Sequence, residues 1–85
     1  MAYDIQFRPA ALRSLRKLPI DIQHRMADAL EDPAQNPIPP GAKRLHGPER
    51  WFRIRIGEYR VIYDVQHARL LVLVIEIGHR REVYR

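Results

Sequence analysis

The 85-residue sequence predicts an α+β domain of order β-α-α-β-β-β: an N-terminal helical hairpin packed on one face of a small, mostly antiparallel four-stranded sheet. Three observations carry that expectation. Tyr3-Asp4-Ile5-Gln6-Phe7 alternates apolar and polar side chains, as a half-buried strand does. Two sets of apolar residues recur at helical spacing on either side of Pro19. Three strand-like runs, two of them joined by a tight turn, fill the second half of the chain.

Taken in order, the first strand leads to Pro9, which suits the first position of a helix because its missing N–H is not needed there. Ala11, Leu12, Leu15 and Leu18 then mark an inward face, with Arg13, Arg16 and Lys17 outward. After Pro19, Ile22, Met26, Ala29 and Leu30 mark a second helix, expected to end near Glu31 because Pro33 lacks an interior N–H. Asp32 to Gly41 holds four prolines and reads as a stiff connector. Strands follow at 51–56 and 59–65, with Gly57-Glu58 as a two-residue turn. Gln66 to Arg69 is a further turn, and Leu70 to Ile77, rich in β-branched and aliphatic residues, is the expected most buried, central strand.

Size and composition narrow the function. A chain of this length forms one domain, residues 1–85, that buries about two-thirds of its unfolded surface. It has no cysteine, so disulfides, cysteine-zinc sites and thiol nucleophiles are excluded. His24, His46, His67 and His79 are scattered without metal-site spacing. The longest apolar run, Leu70 to Ile75, is too short to span a membrane, and the start lacks the form of a secretory signal. A cytoplasmic location without membrane contact is the expectation.

The charge is lopsided. Residues 1–42 carry five basic and five acidic side chains. Residues 43–85 carry ten basic and five acidic ones, and so hold the whole net charge of +5. Nine of those ten are arginines, whose planar fork of donors suits phosphate. A basic half of this kind points to nucleic acid.

The hairpin sharpens the point. A turn at Gly57-Glu58 sets Ile56 opposite Tyr59, Arg55 opposite Arg60, Ile54 opposite Val61 and Arg53 opposite Ile62. Because side chains alternate, Arg53, Arg55 and Arg60 share one face, and Phe52, Ile54, Ile56 and Val61 the other. Like charges directly opposed cost about 0.2–1 kcal/mol a pair, so such a face is expected to meet an anion.

These residues carry a family resemblance across nearly the whole chain. The helical hairpin with Leu18-Pro19, Asn36-Pro37, Lys43-Arg44-Leu45, Trp51-Phe52-Arg53-Ile54-Arg55, Tyr59-Arg60-Val61-Ile62-Tyr63 and Ile77-Gly78-His79-Arg80-Arg81-Glu82-Val83-Tyr84 come in this order. In that order the chain resembles the RelE-type toxins of the RelE/ParE superfamily. The resemblance implies the toxin of a type II toxin–antitoxin pair. It implies an mRNA endoribonuclease that works in the ribosomal A site by attack of a 2′-OH on the adjacent phosphate, with no metal or organic cofactor. The implied catalytic residues are Arg53, Arg55, Arg60, Arg80 and Tyr84. Tyr84 would accept the 2′-OH proton, favoured as phenolate by nearby positive charge, and Arg80 would lie near the leaving oxygen. The best-known members carry lysines where Arg53 and Arg55 stand, and arginine cannot accept a proton. Tyr84 falls in the last two residues of the sequence, where fraying is usual.

Further RNA-contact candidates are Lys43, Arg44, Arg50, Trp51 and Arg81, with Trp51 a candidate for stacking on an unpaired base. Glu76 is a candidate to lie across from Arg60 and orient it. His79 is a candidate for proton transfer or for a structural contact. The implied partners are a cognate antitoxin and the ribosome with its mRNA and rRNA, with operator DNA reached only through the toxin–antitoxin complex. Two other activities fit the same superfamily: a ParE-like inhibitor of DNA gyrase, and a degenerate toxin that serves in operon repression with its antitoxin.

Overall fold

A computed structural model describes residues 2–45 and 51–79. The elements are β1 (Asp4–Phe7), α1 (Pro9–Arg16), α2 (Ile20–Ala29), α3 (Glu31–Gln35), β2 (Lys43–Arg44), β3 (Trp51–Ile56), β4 (Tyr59–Gln66) and β5 (Leu71–His79). The strands form one sheet in the order β1-β5-β4-β3-β2, with β1 parallel to β5 and the other pairs antiparallel. The α+β class and the helical hairpin are as expected. The sheet has five strands rather than four, because the two residues of β2 pair with β3 at its outer edge.

The helical hairpin forms as its sequence dictates. Pro9 opens α1, and Arg13 and Arg16 occupy its last turn, where positive charge complements the helix dipole. The break at Pro19 is closed by Gln23, whose Nε2 donates to the Leu18 carbonyl at 2.9 Å. The second helix ends at Ala29, short of Glu31, and a separate one-turn α3 follows within the stretch read as connector. Pro33 is tolerated there because the first turn of a helix leaves its N–H groups without intrahelical partners.

The core lies between the helices and one face of the sheet. Ala11, Met26 and Leu30 from the helices meet Ile54, Val61, Tyr63, Val72, Val74 and Ile77. Tyr63 is fully buried, stacks on Phe52 across the β3–β4 pair, and donates a 2.7 Å hydrogen bond to the Pro37 carbonyl. That bond ties the proline-rich connector to the core.

β5 is the strand richest in buried residues, as expected, although β4 takes the central place. It contains a bulge. Tyr63 pairs with Val74 but Ile62 pairs with Glu76, so Ile75 is the extra residue. Had the register continued unbroken, Glu76 would oppose Val61 inside the core. The bulge reverses the alternation, which sends Ile77 inward and Glu76 outward.

Candidate functional site

The β3–β4 hairpin sets the site. Gly57 has φ +60 and Glu58 does not have a positive φ, the pattern of a type II′ turn. The register that follows matches the one expected from the sequence: Ile56–Tyr59, Arg55–Arg60, Ile54–Val61 and Arg53–Ile62. Ile54 and Val61 are buried beneath the helices. Arg53, Arg55 and Arg60 therefore stand together on the helix-free face.

Two rows cross that face. One runs Arg55, Arg60, Gly78; the other runs Lys43, Arg53, Ile62, Glu76. Lys43 thus joins the arginines, whereas Arg44 pairs with Phe52 and lies on the opposite face at the sheet edge. Trp51 belongs to the next row, opposite Asp64, so the helix-free face is basic toward the hairpin turn and carries a carboxylate farther away. Asp64 accepts a hydrogen bond from Gln66 Nε2 at 3.3 Å.

The three arginines differ in surroundings. Arg55 is exposed, and its Nε donates to the Gly57 carbonyl at 3.1 Å, so its guanidinium leans toward the turn. Arg53 and Arg60 are half-buried, and Arg60 Nε is fully shielded from solvent. A partly desolvated guanidinium is held in place and attracts an anion more strongly than one in water. The arrangement can hold a phosphate and stabilise negative charge that builds on its oxygens.

Glu76 is not opposite Arg60. It pairs with Ile62, one pair along on the same face, while Gly78 faces Arg60. His79 pairs with Tyr59 on the helix side, with ring centroids 5.9 Å apart in an edge-on arrangement. His67 is 2.8 Å from the Tyr3 hydroxyl through Nδ1, and so pins the start of the chain to the turn before β5. Arg50, Arg80, Arg81 and Tyr84 lie outside the described residues. Among the described residues no three His, Asp or Glu side chains gather to hold a metal, and no helix is long and apolar enough to cross a membrane.

Sequence reasoning missed Arg8. It follows the last residue of β1, its N–H bonds to the Val74 carbonyl at 2.9 Å, and its side chain lines a cleft with Trp51 and Glu76. Its place depends on the pairing of β1 with β5, which joins residues nearly seventy positions apart and leaves no local signal.

Residues 5–84 match the family model described as ParE toxin of type II toxin-antitoxin system, parDE. The chain is 31% identical over 88 residues to the mRNA interferase toxin RelE of Escherichia coli strain K12, covering 99% of this chain and 92% of that one. Among solved structures it resembles a chain of the RelBE2 toxin–antitoxin complex of Mycobacterium tuberculosis, with TM-score 0.83, 28% identity and coverage of 94% and 100% of the two chains. It also resembles the isolated Escherichia coli RelE toxin, with TM-score 0.81, 29% identity and coverage of 98% and 92%.

Proposed function

Because the chain belongs to the RelE/ParE superfamily and is a RelE-type toxin of a type II toxin–antitoxin system, we propose that it is a ribosome-dependent endoribonuclease that cuts mRNA in the A site. The observation that carries this reading is the pair of basic rows on the helix-free face, where Arg55 opposes Arg60 and Arg53 stands beside them. The name mRNA interferase on a relative 31% identical over nearly the whole chain supports it.

In the proposed reaction a ribose 2′-OH attacks the neighbouring phosphorus. Negative charge builds on the nonbridging oxygens, and the P–O5′ bond breaks as the 2′-O–P bond forms, giving a 2′,3′-cyclic phosphate and a 5′-oxygen that takes a proton from water to become the 5′-OH. Arg53, Arg55 and Arg60 stabilise that charge through donors already oriented toward it. The resemblance gives Tyr84 the role of proton acceptor and Arg80 a place near the leaving oxygen. Neither Arg53 nor Arg55 can take a proton, so the sheet contributes binding and charge stabilisation only. The ribosome is the proposed source of the remaining alignment. Relatives of this fold occur in complexes with an antitoxin, and a cognate antitoxin is the proposed partner here.

Purified toxin added to ribosomes programmed with a defined mRNA tests the proposal. Cuts within the A-site codon are expected, and Arg60→Ala or Tyr84→Phe should abolish them. The matched family model bears the ParE description, so the second reading is a gyrase inhibitor without nuclease chemistry. Intact mRNA together with blocked DNA supercoiling would establish that reading and remove the first.

A further inference from the structure

The reaction above leaves one feature of the helix-free face unused. β1 stops at Phe7, opposite Val74, so beyond that point β5 is paired on one side only among the described residues. A cleft of about 410 Å3 opens there beside α1, within the ordinary size range of a small-molecule site. Its described walls include Arg8, Ala11, Trp51, Ile75, Glu76 and Gly78.

We propose that this cleft receives the nucleobase adjoining the scissile linkage, and that Glu76 and Arg8 select guanine there. For the position of the phosphate the inference rests on the RNA-cleaving reading. Each wall has a use. Trp51 is half-buried and offers an aromatic face for stacking an unpaired base. Gly78 leaves room for a flat ring, and Ile75 gives it an apolar edge. Glu76 and Arg8 are both exposed on the polar side.

Position and chemistry agree. Glu76 ends the row that contains Arg53, two strands away or about 9.6 Å at ordinary strand spacing. That is the reach from a phosphate held at the arginines to the base of the same nucleotide. A carboxylate accepts two hydrogen bonds, and a guanidinium donates two. Guanine alone among the four bases offers two N–H donor sites, N1 and N2, together with the adjacent acceptors O6 and N7. Glu76 takes the first pair and Arg8 the second. The bulge at Ile75 is what brings Glu76 to this face, and bulges beside functional sites commonly re-aim a side chain in this way.

Trp51 is the only tryptophan, so its fluorescence reports on the cleft directly. The probes are 2′-O-methyl RNA trinucleotides that differ in one base and resist cleavage. Saturable quenching should be strongest for the guanine probe. Glu76→Gln should weaken guanine binding about fivefold or more and flatten the preference, and Arg8→Gln should narrow it as well. Both residues are exposed, so these variants keep the fold, which circular dichroism verifies. Equal quenching by all four bases, a preference unchanged in Glu76→Gln, or no saturable quenching would overturn the inference. The programmed-ribosome assay reads the nuclease proposal separately. Cleavage with base-blind quenching removes the cleft assignment alone, and base-selective quenching without cleavage removes the nuclease alone.

Discussion

Arg55 and Arg60 oppose each other directly across the β3–β4 hairpin, one residue from a turn that fixes their register. In a hairpin with a two-residue loop the pair next to the turn exchanges hydrogen bonds, so the following pair is of the closer kind, with Cα atoms about 4.5 Å apart. The fold thus holds two like charges together at a point where a pair of opposite sign would be more stable.

Stability and activity should therefore move in opposite directions at this position. Arg55→Thr removes one charge from an exposed strand site, along with the Nε bond to the Gly57 carbonyl, and relief of the repulsion is expected to raise the unfolding free energy by up to about 1 kcal/mol, read as a higher urea midpoint. The same change should lower A-site cleavage, and loss of stability on substitution would show that the pair is not repulsive in the free protein.

Tyr63 makes the fold sensitive to alkali. Burial pushes its hydroxyl from 10.0 up to about 12. The folded state binds the proton more tightly than the unfolded chain, so its contribution is complete below pH 10 and declines as pH rises toward about 12. Urea titrations across that window should show a steeper loss for the wild type than for Tyr63→Phe. At neutral pH the variant should be less stable by about 1–3 kcal/mol, since the Pro37 carbonyl loses its donor.

Gly57 holds the turn with φ +60, and a Cβ there would meet only Arg25 Nη2 at 3.8 Å, an ordinary contact. The cost of Gly57→Ala is therefore conformational, about 1–2 kcal/mol for an L-residue in the left-handed region. Gly57→Asn should cost less, because Asn tolerates that region. Equal destabilisation by both would assign the penalty to space rather than to backbone angle.

Leu70 presents the reverse case. It has φ +50 at the turn into β5 and is 38% exposed, so it combines a strained backbone with incomplete burial. Leu70→Asn is expected to gain up to about 1 kcal/mol, read from thermal or urea unfolding. A loss would mean that the leucine side chain contributes more to the packing of the turn than its exposure suggests.

Much of the candidate site is legible in the amino-acid sequence. The arginine face follows from two local rules: a Gly-led two-residue turn sets the register, and strict alternation assigns each side chain to a face. Both act within thirteen consecutive residues, Trp51 to Tyr63, so no distant partner was needed to apply them. The helical hairpin was legible for the same reason, from spacing on either side of Pro19.

The position of Glu76 was not legible. Leu71 to Ile75 is apolar throughout and has no alternation from which to read the phase of the strand, so the extra residue at Ile75 leaves no mark in the sequence. β2 escaped because two residues carry no period, and Arg8 because its neighbour in space is the far end of the chain.

The amino-acid sequence by itself settled which charges would share a face, since that depends on backbone alternation and one turn. Tertiary structure decided what stands beside them. The parallel β1–β5 pairing, the bulge and the early end of β1 are long-range events, driven by burial of the apolar β5 run between its neighbours. They turn a basic surface into a cleft with a carboxylate, a guanidinium and an indole around it.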